Sequence, residues 1–269
     1  MRSLYPAAIA QRPRTVTVAP SGSADFVGIH VAASRPSVAV ALRGGRALEV
    51  LEWHEAAEGG EGEHAALLEW IAALGPAAVG VGAPQRPRRT SPDGTPRPRR
   101  CDAELQERRI AVYQVPTAAE AAADARRHAW VSAGWTYFRE LGRRGYERPA
   151  DGWLPGSLGQ APTALEVYPY AGFVTLLGGT PPARTTREGL RLRVLVLRSH
   201  GVQWDEYYDH ESLDALMAGL TAWRFWQGQA TDVGDDRDGR IWLPVPPNEL
   251  RDSYARLTPR EARAALRRA

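Results

Sequence analysis

ADFVGIHVAAS, residues 24–34, is the stretch from which the rest of the chain is read. Phe26, Val27, Ile29 and Val31 make an apolar run too short to span a membrane and of the length of a strand covered on both faces. His30 interrupts it. A histidine there is either a core residue with a satisfied hydrogen bond or part of a site.

Outward from this strand, two more follow at 36–42 (PSVAVAL) and 46–53 (RALEVLEW). The RGG at 43–45 supplies a tight turn, so these two form an antiparallel hairpin. After a glycine-rich break at 59–62, Leu67, Leu68, Ile71 and Leu74 recur at helical spacing until Gly75 and Pro76 stop the helix. AAVGVGAP at 77–84 is a fourth, buried strand. Three strands, a helix and a strand predict a mixed α/β sheet with a crossover connection. Residues 85–100 hold six arginines, four prolines and no apolar residue, which predicts an exposed loop. Asp102 is placed to cap a short helix, and a longer one is expected over 117–142. A loop over 143–162 and a strand from 163 to Pro169 follow, then helices over 186–199 and 209–228. The last of these carries Leu213, Leu216, Met217, Leu220 and Trp223 on one stripe. DGRIWLPVP reads as a terminal strand, and TPRE at 258–261 is a capping box. Residues 1–23 are read as a flexible arm, 24–248 as one domain with an insertion around 85–162, and 249–269 as a helical tail.

Composition excludes several classes. Of 269 residues 43% are hydrophobic and 24% charged, which is ordinary globular usage. All 34 basic residues are arginine, and the net charge of +3 is too small to announce a nucleic-acid binder by itself. The single cysteine, Cys101, excludes an internal disulfide and a multi-cysteine zinc site. No segment reaches the ~20 apolar residues of a membrane helix, and Pro6 and Gln11 interrupt any signal-peptide core. The expected location is cytoplasmic.

Glu166 is the most pointed candidate, a charge between Leu165 and Val167 in an apolar strand. It marks either a strand end open to a site or a salt bridge with an arginine. Glu211 and Asp214 share a helix face, with His210 beside them; on spacing alone a solvated helix edge explains them better. The arginine loop either neutralises phosphates or is a solvated loop in an arginine-biased chain. There is no phosphate-loop pattern and no nucleophile elbow.

In order, VGIHVAASRPSVAVAL, VGVGAP, RRCDAELQERRIAVYQVPT, ALEVYPYAGF and DHESLDALMAGLTAW with DGRIWLPV resemble the domain-of-unknown-function family 429, over roughly residues 25–246. That family is described as predicted nucleases. The resemblance implies a ribonuclease-H-like α/β fold, with an antiparallel three-strand start, then parallel strands, flanking helices and an inserted helical and loop segment. It also implies carboxylates that hold divalent metal, magnesium or manganese, to cleave phosphodiesters. By the same resemblance His30, Glu166, Glu211 and Asp214 are the catalytic and metal-ligating candidates. Arg97, Arg99, Arg100, Asp102 and Tyr168 are candidates for binding substrate, with nucleic acid as the partner. The chain departs from the family pattern where His30 and Gly82 replace aspartates. Glycine offers no ligand, and imidazole suits zinc or manganese better than magnesium. The expectation is therefore a nuclease with an altered metal site and weak or lost cleavage. The alternatives are a non-catalytic module binding nucleic acid or protein, and a repurposed cleft doing acid–base chemistry on a small molecule.

Overall fold

Alternation along the first strands builds two apolar faces. Phe26, Val38, Val40 and Ala78 point to one side, and Val27, Ile29, Ala39, Ala41, Val79 and Val81 to the other. The computed structural model describes residues 25–32, 35–55, 61–150, 161–204 and 209–267. In chain order its elements are β1 (Phe26–His30), β2 (Val38–Gly44), β3 (Leu48–Glu55), α1 (Glu61–Leu74), β4 (Ala78–Gly82), α2 (Arg100–Glu107), α3 (Ala118–Ala123), α4 (Ala129–Arg143) and β5 (Thr163–Val167). There follow α5 (Pro169–Leu177), α6 (Arg187–Ser199), β6 (Val202–Gln203), α7 (His210–Trp226), β7 (Thr231–Asp235), β8 (Gly239–Leu243) and α8 (Pro259–Leu266). The strands form one eight-stranded mixed sheet in the order β6-β3-β2-β1-β4-β5-β8-β7. The β1–β2 and β2–β3 pairs are antiparallel, while β4 and β5 continue parallel to β1. The expected antiparallel start and helical crossover are both present.

The core has a layer on each face of the sheet and a third cluster that joins α2, α5, β7 and β8. On one face α5, α6 and α7 cover the sheet, and on the other α1 and α4 do so. Within the first layer α7 crosses β1 and β4 at backbone contact. A Cβ on Gly28 would collide with the Ala215 carbonyl and the Gly219 backbone, and one on Gly80 with the backbone of Ala218. Only hydrogen fits between these chains.

Several expectations are corrected. The helix over 117–142 is two helices, α3 and α4. Asp124 closes α3 out of helical geometry and its carboxylate accepts the Arg127 N–H, a local bond that competes with the helix ladder. Asp102 is no cap: α2 begins at Arg100, Arg99 occupies the cap position, and the Asp102 carboxylate turns back to Arg99. The helix of the leucine stripe is buried on nearly every side from Glu211 to Trp223, because the sheet and helices α5 and α6 enclose it. Strands β6 and β7 escaped sequence reading. Val202–Gln203 is too short to show a period, and β7 is polar and depends on pairing with β8. In the C-terminal segment α8 buries Ala262 in the first core layer and ties Arg263 to Glu188 on α6. The 1–23 arm and part of the 143–162 loop lie outside the described residues.

Gly28→Ala is expected to destabilise the protein by about 3 kcal/mol, since neither the strand nor the helix can retreat. Gly142→Ala, near the end of α4 with open space around its Cα, should instead stabilise it by roughly 0.5–1 kcal/mol. Urea denaturation of the two variants measures both.

Candidate functional site

Side-chain parity decides which candidates meet. Along β1, His30 falls on the same face as Phe26 and Gly28, the face covered by α7. Its Nδ1 lies 3.6 Å from Asp214 Oδ2. Register pairs His30 with Gly82 on β4. Along β5, Leu165 and Val167 point to the α7 side, so Glu166 points to the other. The carboxylates of Glu166 and Asp214 thus approach the strand ends from opposite faces of the sheet.

Between them the carboxyl ends of β1, β4 and β5 open into a cleft of about 590 Å³, bordered by His30, Gly82, Asp102, Glu166, Arg184 and Asp214. Sites of α/β sheets sit at such strand ends. On its inner wall, Arg99 donates through Nε and Nη2 to Asp102 at 2.9 and 2.8 Å, and through Nη1 and Nη2 to Glu166 at 3.0 and 2.8 Å. The Gln85 backbone N–H donates a further 2.8 Å bond to Glu166. Arg99 is only 2% exposed. Burial works against its charge, but Glu166 and Asp102 hold the guanidinium charged. Burial also raises the Glu166 carboxyl, and Arg99 opposes that rise. The loop expected to be exposed is therefore anchored in the interior at its end.

The other candidates are engaged as well. Arg184 donates to Asp214 at 3.1 Å and Arg35 to Glu211 at 3.0 Å. His210 lies 3.8 Å from Glu211, one turn away from the cleft. Arg97 bonds to Ser91 and Arg100 to Glu104, and neither lines the cleft. Arg86 donates to the Asp236 and Arg237 carbonyls and Arg88 to Glu120. Most of the loop's guanidiniums are thus turned onto the protein itself. Tyr168 lines the cleft with its hydroxyl donating to the Ala111 carbonyl. Sequence reading missed Arg184, Arg193, Tyr113 and Trp130, whose role comes from tertiary placement alone.

Protonation is set mainly by burial. The His30 imidazole is pushed down to about 4 by burial and then by Arg184, His210 and Arg35. Burial pushes the Asp214 carboxyl up to about 6 against the pull of Arg184 and Arg193. Near neutral pH a neutral imidazole therefore faces a carboxylate. Cys101 is inert, since burial pushes its thiol up.

The donor set does not fit a two-metal phosphodiester centre. Among the described residues no three His, Cys, Asp or Glu side chains come together to hold a metal ion. Gly82 supplies no ligand, both Glu166 oxygens accept from Arg99, and His30 and Glu166 lie on opposite faces.

Arg99→Met should cost about 3–5 kcal/mol by leaving two buried carboxylates without a counter-charge. Replacing Arg99, Asp102 and Glu166 together by apolar residues of similar size should recover most of that loss in chemical denaturation. A second outcome concerns pH. The unfolded chain protonates the His30 imidazole below about 6.5 and the folded protein only below about 4, so His30 makes stability rise with pH across that window. His30→Gln is expected to remove that rising contribution, up to about 3 kcal/mol, and to leave the opposite one from Asp214, whose carboxyl burial raises to about 6. Between about 4 and 6 the variant's stability should then fall with pH relative to the parent, as thermal melts at stepped pH would show.

No helix among the described residues is long and apolar enough to cross a membrane. Neither the curated proteins nor the solved structures contain a match to the chain. A family model described as "protein of unknown function (DUF429)" matches residues 28–239. That span is most of the sequence and includes the end of β1 that carries His30, β4, β5, α7 and nearly all of the cleft lining, and the chain belongs to this family.

Proposed function

We propose that the protein is a divergent ribonuclease-H-like member of its family in which metal-dependent phosphodiester cleavage has been lost and the cleft has become a ligand-binding pocket. The sheet order β3-β2-β1-β4-β5, with β2 alone antiparallel to its two neighbours, supports the fold assignment. One observation carries the functional reading: every carboxylate expected to hold metal accepts from a guanidinium. Glu166 is taken by Arg99, Asp214 by Arg184 and Glu211 by Arg35. A divalent ion would have to displace these cations and would still lack a ligand at Gly82. What stays open is the volume between the two walls.

A second reading rests on His30. A neutral imidazole 3.6 Å from a carboxylate in a partly enclosed cleft holds the protonation state from which a general base acts. It is distinguished by turnover of a bound small molecule that His30→Gln abolishes while binding persists.

The main reading is tested by incubating purified protein with end-labelled single- and double-stranded RNA and DNA in magnesium, manganese or zinc. The expected result is no cleavage above the background of the Glu166→Gln and Asp214→Asn variants. Metal-dependent cleavage that Asp214→Asn abolishes would overturn it.

A further inference from the structure

The cleft is lined by aromatic rings and by a guanidinium. Tyr113 meets Trp130 edge to face, ring centres 5.0 Å apart, and Tyr168 packs near Tyr170 at 5.8 Å; all four border the opening. Tyr113 is 38% exposed, one of only two large hydrophobic side chains so exposed among the described residues. It is also held in place, since its hydroxyl lies 2.9 Å from His128 Nδ1 while the Tyr168 hydroxyl is tied to Ala111. Fixed aromatic rings left open to a cavity are a stacking platform for a flat ligand.

Arg184, also on the lining, is 52% exposed and makes one bond, from Nη1 to Asp214, with its other N–H donors left over. Asp214 is also within electrostatic reach of Arg193, which is buried, stacked on Phe173 and bonded only to the Pro182 and Gly189 carbonyls. With Arg35 on Glu211, three guanidiniums stand against two carboxylates here. The cation left without a carboxylate is the buried Arg193, while Arg184, paired with Asp214, keeps its spare N–H donors at the opening. The burial of His30 as a neutral ring fits such a field, in which Arg184, His210 and Arg35 all disfavour a further cation. The His30–Asp214 pair lines the same cleft. A volume of about 590 Å³ falls in the range of pockets for single small molecules.

We propose that this cleft binds a planar aromatic ring bearing a phosphate group, as in a nucleoside monophosphate, with the ring against Tyr113 and Trp130 and the phosphate on Arg184. The proposal rests on the reading of the cleft as a ligand pocket and specifies its ligand class. Arginine suits the phosphate because its remaining N–H groups form a fork that matches two oxygens. The same unit could arrive free or as the terminal nucleotide of a strand, and both present the same ring and phosphate.

Isothermal titration of the full-length protein with AMP, UMP, adenosine, ribose 5-phosphate and a 5′-phosphorylated trinucleotide, followed by Trp fluorescence, tests this. AMP or UMP should bind at least tenfold more tightly than adenosine and than ribose 5-phosphate. Equal binding of the trinucleotide indicates a strand end as the source, and its failure to bind indicates free nucleotide; either outcome supports the ligand class. Arg184→Gln should weaken AMP at least tenfold and leave adenosine unchanged, Tyr113→Ala should weaken both, and Tyr113→Phe, which keeps the ring and loses only the bond to His128, should weaken AMP less than Tyr113→Ala does. Binding of ribose 5-phosphate as tight as AMP, or AMP binding indifferent to both Arg184→Gln and Tyr113→Ala, would overturn the proposal. If an aromatic carboxylate such as indole-3-acetate binds in the cleft and AMP does not, the ligand class is wrong and the pocket reading stands. Metal-dependent strand cleavage would instead remove the pocket reading itself.

Discussion

The close passage of α7 over β1 and β4 is the constraint on which the rest depends. Gly28 and Gly219 face one another, and Gly80 lies under Ala218, so the helix axis sits a backbone's width from the sheet. A glycine within a helix costs about 1 kcal/mol relative to alanine, and it is retained where a side chain has no room. That approach brings Asp214, one turn in from the amino end of α7, to His30 at the carboxyl end of β1. It also explains why a helix with a readable leucine stripe is buried almost all round: the stripe meets one layer, and small residues on its other sides meet the sheet backbone.

Within that frame the site is a study in neutralised charge. Carboxylates taken out of water are tolerated only with close cationic partners, and each one here has an arginine. The Arg99 fork is bidentate to both Asp102 and Glu166, a geometry lysine could not supply. Such a network locks the end of the 85–100 loop against β5 and closes one wall of the cleft. On the opposite wall the pairing is looser and more exposed, and Arg184 there keeps N–H donors that Asp214 does not use. One side of the cleft is therefore structural and the other available to a ligand.

Local order in the sequence carried the strands β1 to β5, the crossover α1, and the cap of α8, because each depends on residues a few positions apart. The Thr117–Glu120 capping box and the Asp124 turn were equally local, but the apolar and aromatic run through Trp130 and Phe138 masked the break between α3 and α4. Glu166 illustrates the boundary. Its burial was legible as a charge in an apolar strand that needed an arginine or an open site. Which arginine, and that the same strand end also borders a cleft, depended on a residue far along the chain.

By itself the sequence determined the mixed α/β architecture, the family, and the presence of His30 and Gly82 at strand ends where carboxylates were expected. Those are properties of periodicity and motif order, which act over short range. Only the tertiary structure decided that Glu166 and His30 lie on opposite faces, that Arg99, Arg184 and Arg35 occupy the carboxylates, and that Tyr113 and Trp130 complete an aromatic wall. Those facts rest on the parity of paired strands and on contacts between residues far apart in sequence, and both exist only once the sheet has formed and α7 has closed over it.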